Sequence, residues 1–159
     1  MTMPNAYDLF IKRWAWLFPV TYIFHMVEEY GWDFSCWMAN HITGKDVELR
    51  FFILDLCFFT GMIVGVAVAT RFPVWRWLGI ALAVSVITNP VLHLIGTAAY
   101  GYSPGAITGS LFWLPLGGYT LLLAYRHVET LRFAIGIIIG IIASVIINGA
   151  FLTVHRFTI

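Results

Sequence analysis

Two short groups of residues that bind metals or move protons lie inside otherwise apolar runs of this chain. The first is His25-Met26-Val27-Glu28-Glu29 and the second is Asn89-Pro90-Val91-Leu92-His93. A helix turns by about 100° per residue, so His25, Glu28 and Glu29 fall on one face. Asn89 and His93, four residues apart, share a face in the same way. Imidazole, carboxylate and carboxamide are donor types that suit a transition metal. His25 with Glu28 or Glu29 could chelate from one helix, while His93 and Asn89 close the site from another. The remaining glutamate would then act as general base on water acidified by the metal. The first motif approaches the H-x-x-E-H form of certain zinc peptidases, with Glu29 where the second histidine would stand. It also reverses the E-x-x-H spacing of di-iron bundles. A divalent metal is therefore expected, zinc first and iron second.

A purely structural role competes with this reading. An Asn or Asp within a membrane span often bonds a neighbouring helix, a contact worth about 0.6 kcal/mol. That role suits Asp55 and Asn148. The adjacent Glu28 and Glu29 resist it, because two buried carboxylates repel each other unless a proton or cation lies between them. His41 and His127 belong to loops, and His155 to the tail.

These groups must be positioned by membrane helices. The 159 residues are 60% hydrophobic and 11% charged, and the mean hydropathy is +0.86. Soluble domains carry roughly 25% charged residues. The chain thus reads as all-α, a single bundle over residues 1–159 of about five transmembrane helices. The expected spans are Trp14–Trp32, Phe51–Thr70, Trp77–Tyr100, Ala106–Tyr125 and Phe133–Thr153, each near the roughly 20 residues a bilayer requires. The breakers between them include Thr43-Gly44-Lys45-Asp46 and Arg71-Phe72-Pro73. The apolar stretch after Lys12-Arg13 lacks a small-residue cleavage site and reads as a retained helix rather than a signal peptide.

Lys12, Arg13, Arg71, Arg76, Arg126 and Arg132 fall on one side of this layout, against Lys45, Arg50 and Arg156 on the other. The positive-inside rule puts the richer side in the cytoplasm, with the C-terminus outside, in the plasma (inner) membrane. At about 1.5 Å rise per residue, the His25–Glu29 segment lies roughly 16–22 Å from the cytoplasmic start of its span. Asn89 and His93 lie roughly 18–24 Å along theirs, and Asn148 near 22 Å. Asp55, entering from the opposite face, reaches the same level, and Thr108 opens its span there. One polar layer in the non-cytoplasmic half is expected.

Other features bear on packing. Gly61-x-x-x-Gly65 and Gly136-x-x-x-Gly140 allow close helix approach, within the bundle or in a homodimer. Trp14, Trp16, Trp32, Trp37, Trp75 and Trp77 cluster near span ends, as interfacial anchors do. Cys36 and Cys57 match no zinc or redox spacing and read as unpaired thiols. With net charge +1 and no basic block, nucleic acid is not an expected partner.

A third motif, Tyr102-Ser103-Pro104-Gly105-Ala106-Ile107-Thr108, completes a pattern. With H-x-x-E-E and N-x-x-x-H in that order, the chain resembles the HXXEE-domain family of membrane proteins over roughly residues 10–150. The resemblance implies an integral membrane enzyme of unassigned reaction, and it draws Tyr102 and Thr108 into the candidate site. Pro104-Gly105 is a turn signal that can bring Tyr102 over the mouth of the bundle. Thr108 begins the next helix, whose free N–H groups could bind an anionic group. Tyr102 or Thr108 could also donate a hydrogen bond to a substrate oxygen. The expected activity is metal-dependent hydrolysis, or oxidation, of a lipid-like apolar small molecule. The alternatives are a proton-coupled carrier and a non-catalytic accessory or lipid-binding protein.

Overall fold

The computed structural model describes residues 5–44 and 47–152. Lys45, Asp46, Thr153, His155 and Arg156 lie outside the described residues. The described chain is helical, with no strand. Its elements are α1 (Ala6–Trp14), α2 (Leu17–Gly31), α3 (Phe34–Met38), α4 (Glu48–Arg71), α5 (Leu78–Tyr100), α6 (Ala106–Thr108), α7 (Leu114–His127) and α8 (Thr130–Leu152). Single π-helical turns follow α3 (Ala39–Thr43) and join α6 to α7 (Gly109–Trp113).

Among the described residues, four helical stretches are long and apolar enough to cross a membrane. They are Glu48–Arg71, Pro73–Tyr100, Ala106–His127 and Thr130–Ala150. The expected first span, Trp14–Trp32, is shorter than anticipated: α2 has 15 residues, about 22 Å of helix. Pro19 explains the break. It has no N–H to offer the carbonyl of Ala15, which instead accepts from the Phe18 N–H at 3.1 Å. The helix is interrupted at Ala15–Trp16, and α1 and α2 become separate segments.

Proline also shapes the other two irregularities near the site. Pro90 lies inside α5 and removes one backbone donor. Pro115 lies in the first turn of α7, directly after the wide turn at Gly109–Trp113. Gly109 packs against Pro90 so closely that a Cβ there would sit 2.6 Å from Pro90 Cβ. The two proline-disturbed helices are thereby nested.

Glycine sets the closest helix pair. At Gly136 a Cβ would fall 2.6 Å from Ile80 Cβ, and at Gly140 2.6 Å from Val84 Cβ. The second G-x-x-x-G face is therefore consumed by α5–α8 packing. Gly61 faces open space and Gly65 only grazes Leu82. Cys36 and Cys57 are free and exposed.

The two ends of the bundle differ. At one end Arg76 pairs with Asp8 at 2.8 Å, the Tyr7 hydroxyl donates to the Arg76 carbonyl, and the Asn5 amide donates to the His127 carbonyl. This stitches α1 to the α4–α5 and α7–α8 connections. Burial raises the Tyr7 phenol well above its ordinary value, with the Asp8 charge adding to the effect. The H-x-x-E-E segment lies toward the far end, beside the connection from α5 to α6.

A buried His-Glu-His cluster

Three helices bring the motif residues together. His25, Glu28 and Glu29 come from α2, His93 from α5, and Thr108 from α6. His25, Glu29 and His93 are each at most 5% exposed. His93 Nε2 lies 3.2 Å from Glu29 Oε1, and His25 Nε2 lies 3.4 Å from the same oxygen. The two imidazole rings meet edge to face, 5.3 Å apart. Each of the three residues offers a ligand atom within 4.8 Å of the others.

The outer nitrogens are held by hydroxyls. His25 Nδ1 contacts Thr108 Oγ1 at 3.0 Å, and His93 Nδ1 contacts Ser103 Oγ at 3.1 Å. The Thr108 hydroxyl has a single proton, and it is donated to Glu28 Oε2. Thr108 Oγ1 must therefore accept from His25, which puts a proton on Nδ1 and turns Nε2 inward. His25 Nε2 is buried without a hydrogen-bond partner. At 3.4 Å from a carboxylate oxygen, this nitrogen either carries a proton of its own, as in an ion pair, or shares a cation with Glu29. The donor set, its burial and its spacing fit a metal ion held by His25, Glu29 and His93.

Glu28 does something different from Glu29, although the sequence could not separate them. Its Oε1 accepts from the Tyr102 hydroxyl at 2.5 Å and the Ile107 N–H at 3.1 Å. Its Oε2 accepts from the Thr108 N–H at 2.7 Å and from the Thr108 hydroxyl. With four donors on its two oxygens, Glu28 is a clamp on the start of α6 rather than a metal ligand or free base. The expected anion site at this helix start is occupied by the chain's own carboxylate. Tyr102 is likewise engaged by Glu28 rather than free over the mouth of the bundle. Desolvation, then the hydrogen bond and charge of Glu28, raise the Tyr102 phenol well above its ordinary value.

The wall behind the cluster is aromatic. Trp113 is fully buried, lies 4.2 Å from the His25 ring and stacks on Tyr22 at 5.4 Å. Its indole N–H donates to Thr21 Oγ1. Gly105, at φ +97°, passes directly over both imidazoles: a Cβ there would lie 2.7 Å from His25 Cε1 and 2.8 Å from His93 Cε1. Only glycine combines that backbone conformation with that clearance.

On the open side, Glu29 and His93 line a cavity of about 390 Å³. Asp55, Asn89 and Asn148 line it too, so five members of the expected polar layer share one space, while His25, Glu28 and Thr108 do not line it. Asn89 faces this cavity with its Oδ1 buried and unpartnered. Asp55 Oδ1 accepts from the Tyr22 hydroxyl at 2.6 Å. Asn148 donates back to the Ser144 carbonyl of its own helix.

Sequence reasoning passed over Ser103, Trp113 and Tyr22, and read Gly105 only as part of a turn. Ser103 and Gly105 are inside the Tyr102–Thr108 motif, and Tyr22 is one helical turn before His25 on the same face. Trp113 left no such signal, because the wide turn that aims it inward is not legible in the residues.

The model of a family described as proteins of unknown function with an HXXEE motif matches residues 16–120. No curated protein and no solved structure matches the chain.

Proposed function

The chain belongs to the HXXEE family, and from that premise and the geometry above we propose a metal-dependent membrane enzyme that transforms a lipid-like small molecule. The observation that carries this reading is the convergence of two imidazole Nε2 atoms on one oxygen of Glu29, in a buried position beside an apolar cavity. His25, His93 and Glu29 would hold the metal, with zinc favoured over iron because the protein ligands are few for a di-iron site. Such a metal would supply Lewis acidity and bring the acidity of water near neutrality. Hydrolysis is the simplest reaction that uses these parts.

The chain's own residues divide the remaining work. Glu28 clamps Ile107 and Thr108, and through the Thr108 hydroxyl fixes the tautomer of His25. Ser103 orients His93. Trp113, Tyr22 and Phe34 exclude water from the imidazoles. Glu29 presents its carboxylate to both the cluster and the cavity. The site would lie in the outer half of the inner membrane, with the N-terminus cytoplasmic, as the distribution of Lys and Arg suggests.

Metal analysis of detergent-purified protein tests this, together with an esterase and amidase screen on single-chain lipids. One equivalent of zinc or iron, lost together with turnover in His25→Ala, Glu29→Gln and His93→Ala, is expected. A protein that takes up no metal and carries proton-coupled flux in proteoliposomes would replace the enzyme with a carrier.

A further inference from the structure

The polar groups of the cavity carry information about its ligand. Three residues that line it each have a buried side-chain atom with no hydrogen-bond partner within 3.5 Å, Asp55 Oδ2, Asn89 Oδ1 and Trp37 Nε1, and the Tyr30 hydroxyl is the neighbour that reaches toward the Asp55 carboxylate. Two of the three are acceptors, and Asp55 is only 7% exposed. An acceptor left unpaired at such a depth costs about 1–3 kcal/mol, more if charged, unless a ligand satisfies it. Among the described residues, no Lys or Arg lines the cavity, while two carboxylates, Glu29 and Asp55, do. Most of the remaining wall is apolar, from residues such as Phe34, Phe51, Leu54 and Phe58. At about 390 Å³ the cavity is at the low end of the roughly 300–1,000 Å³ usual for small-molecule sites.

We propose that this cavity takes a single-chain amphipath whose polar end donates hydrogen bonds, through hydroxyl or amine N–H groups, and that it rejects anionic head groups. The donors meet Asp55 Oδ2 and Asn89 Oδ1, and the chain lies against the phenylalanine and leucine wall. A site built to satisfy buried acceptors discriminates strongly against an analogue that cannot donate. A carboxylate or phosphate head would add charge repulsion from Asp55 to that loss. The proposal rests on reading the cavity as the substrate site, and it deepens that reading by naming the substrate's chemistry.

The test is binding, measured on chelator-treated full-length protein in an uncharged detergent, so that a metal cannot recruit anions. The probes are a primary amine, an alcohol, a carboxylate and a phosphate monoester of equal chain length, each brominated on the tail. Quenching of tryptophan emission reports binding, and the component absent in Trp37→Phe belongs to the cavity. The amine and alcohol are expected to bind at least tenfold more tightly than the two anions. The isosteric Asp55→Asn should reduce amine affinity about tenfold, and Asn89→Ala should weaken both donors. Equal binding of all four head groups, or an order unchanged in both variants, would overturn the proposal. Because the assay omits metal, the donor preference can hold in a protein that never binds zinc, and then only the enzyme reading fails. Zinc uptake without the donor preference sinks only the present proposal.

Discussion

At the scale of single residues, the separation of roles between Glu28 and Glu29 organises the site. Periodicity puts both on one face of α2 and cannot tell them apart, because a difference of about 100° in direction is small against the width of a helix face. What separates them is a tertiary partner: the α6 start captures Glu28, and the imidazoles capture Glu29. Thr108 is the hinge of this division, since its one hydroxyl serves Glu28 as donor and His25 as acceptor. Thr108→Val should therefore lower metal affinity by about 10–100-fold, and Thr108→Ser should restore most of it. Competition against a chromophoric chelator measures both. The Tyr102 phenol, raised by desolvation and by Glu28, keeps its proton beyond pH 10. Its contribution to stability is thus present below pH 10, its ordinary value, and is lost only as pH rises through the higher folded value. An ultraviolet phenolate titration should show a late-titrating tyrosine that disappears in Tyr102→Phe.

At the scale of elements, helices were legible and their interruptions were not. The spans at α4, α5 and α8 follow from unbroken apolar runs, and their observed limits differ from the expected ones by a few residues. The first span is interrupted at Ala15–Trp16 because Pro19 sends the Ala15 carbonyl to a nearer donor, an effect that hydropathy averaging hides. The wide turn at Gly109–Trp113 escaped for a related reason: it depends on Gly109 nesting against Pro90, two residues distant in sequence. The glycine motifs illustrate the same limit, since spacing alone cannot say which of two G-x-x-x-G faces is covered. The structure makes them unequal. Gly140→Val should lower unfolding stability by about 1–3 kcal/mol through overpacking against Val84 and Ala81. Gly61→Val should change it by no more than about 0.5 kcal/mol. Thermal unfolding of both variants in one detergent makes the comparison. Equal losses would mean that Gly61 is covered by a second copy of the chain.

At the scale of the whole molecule, the chain has a stitched end and a chemical end. Asn5, Asp8, Arg76 and His127 tie one end together, and the His-Glu-His cluster lies toward the other. The sequence placed the polar residues at one common depth through the expected span layout, and the stitched end left no signal in it. It could not supply the cavity, because a void is a property of several helices at once. Cys36, exposed on α3 near the chemical end, tests the orientation. In a Cys57→Ser background, a membrane-impermeant maleimide should label Cys36 in intact cells. A cysteine placed at Glu129 should react only after lysis. The reverse pattern would turn the protein over in the membrane.

X-ray absorption at the zinc edge of the reconstituted protein reads out whether His25, His93 and Glu29 are ligands of one metal ion. Two imidazole nitrogens at about 2.0–2.1 Å with oxygen completing the shell are expected, one imidazole being lost in His93→Ala. A spectrum with sulfur ligands, or one unchanged by His93→Ala, would contradict that ligand set.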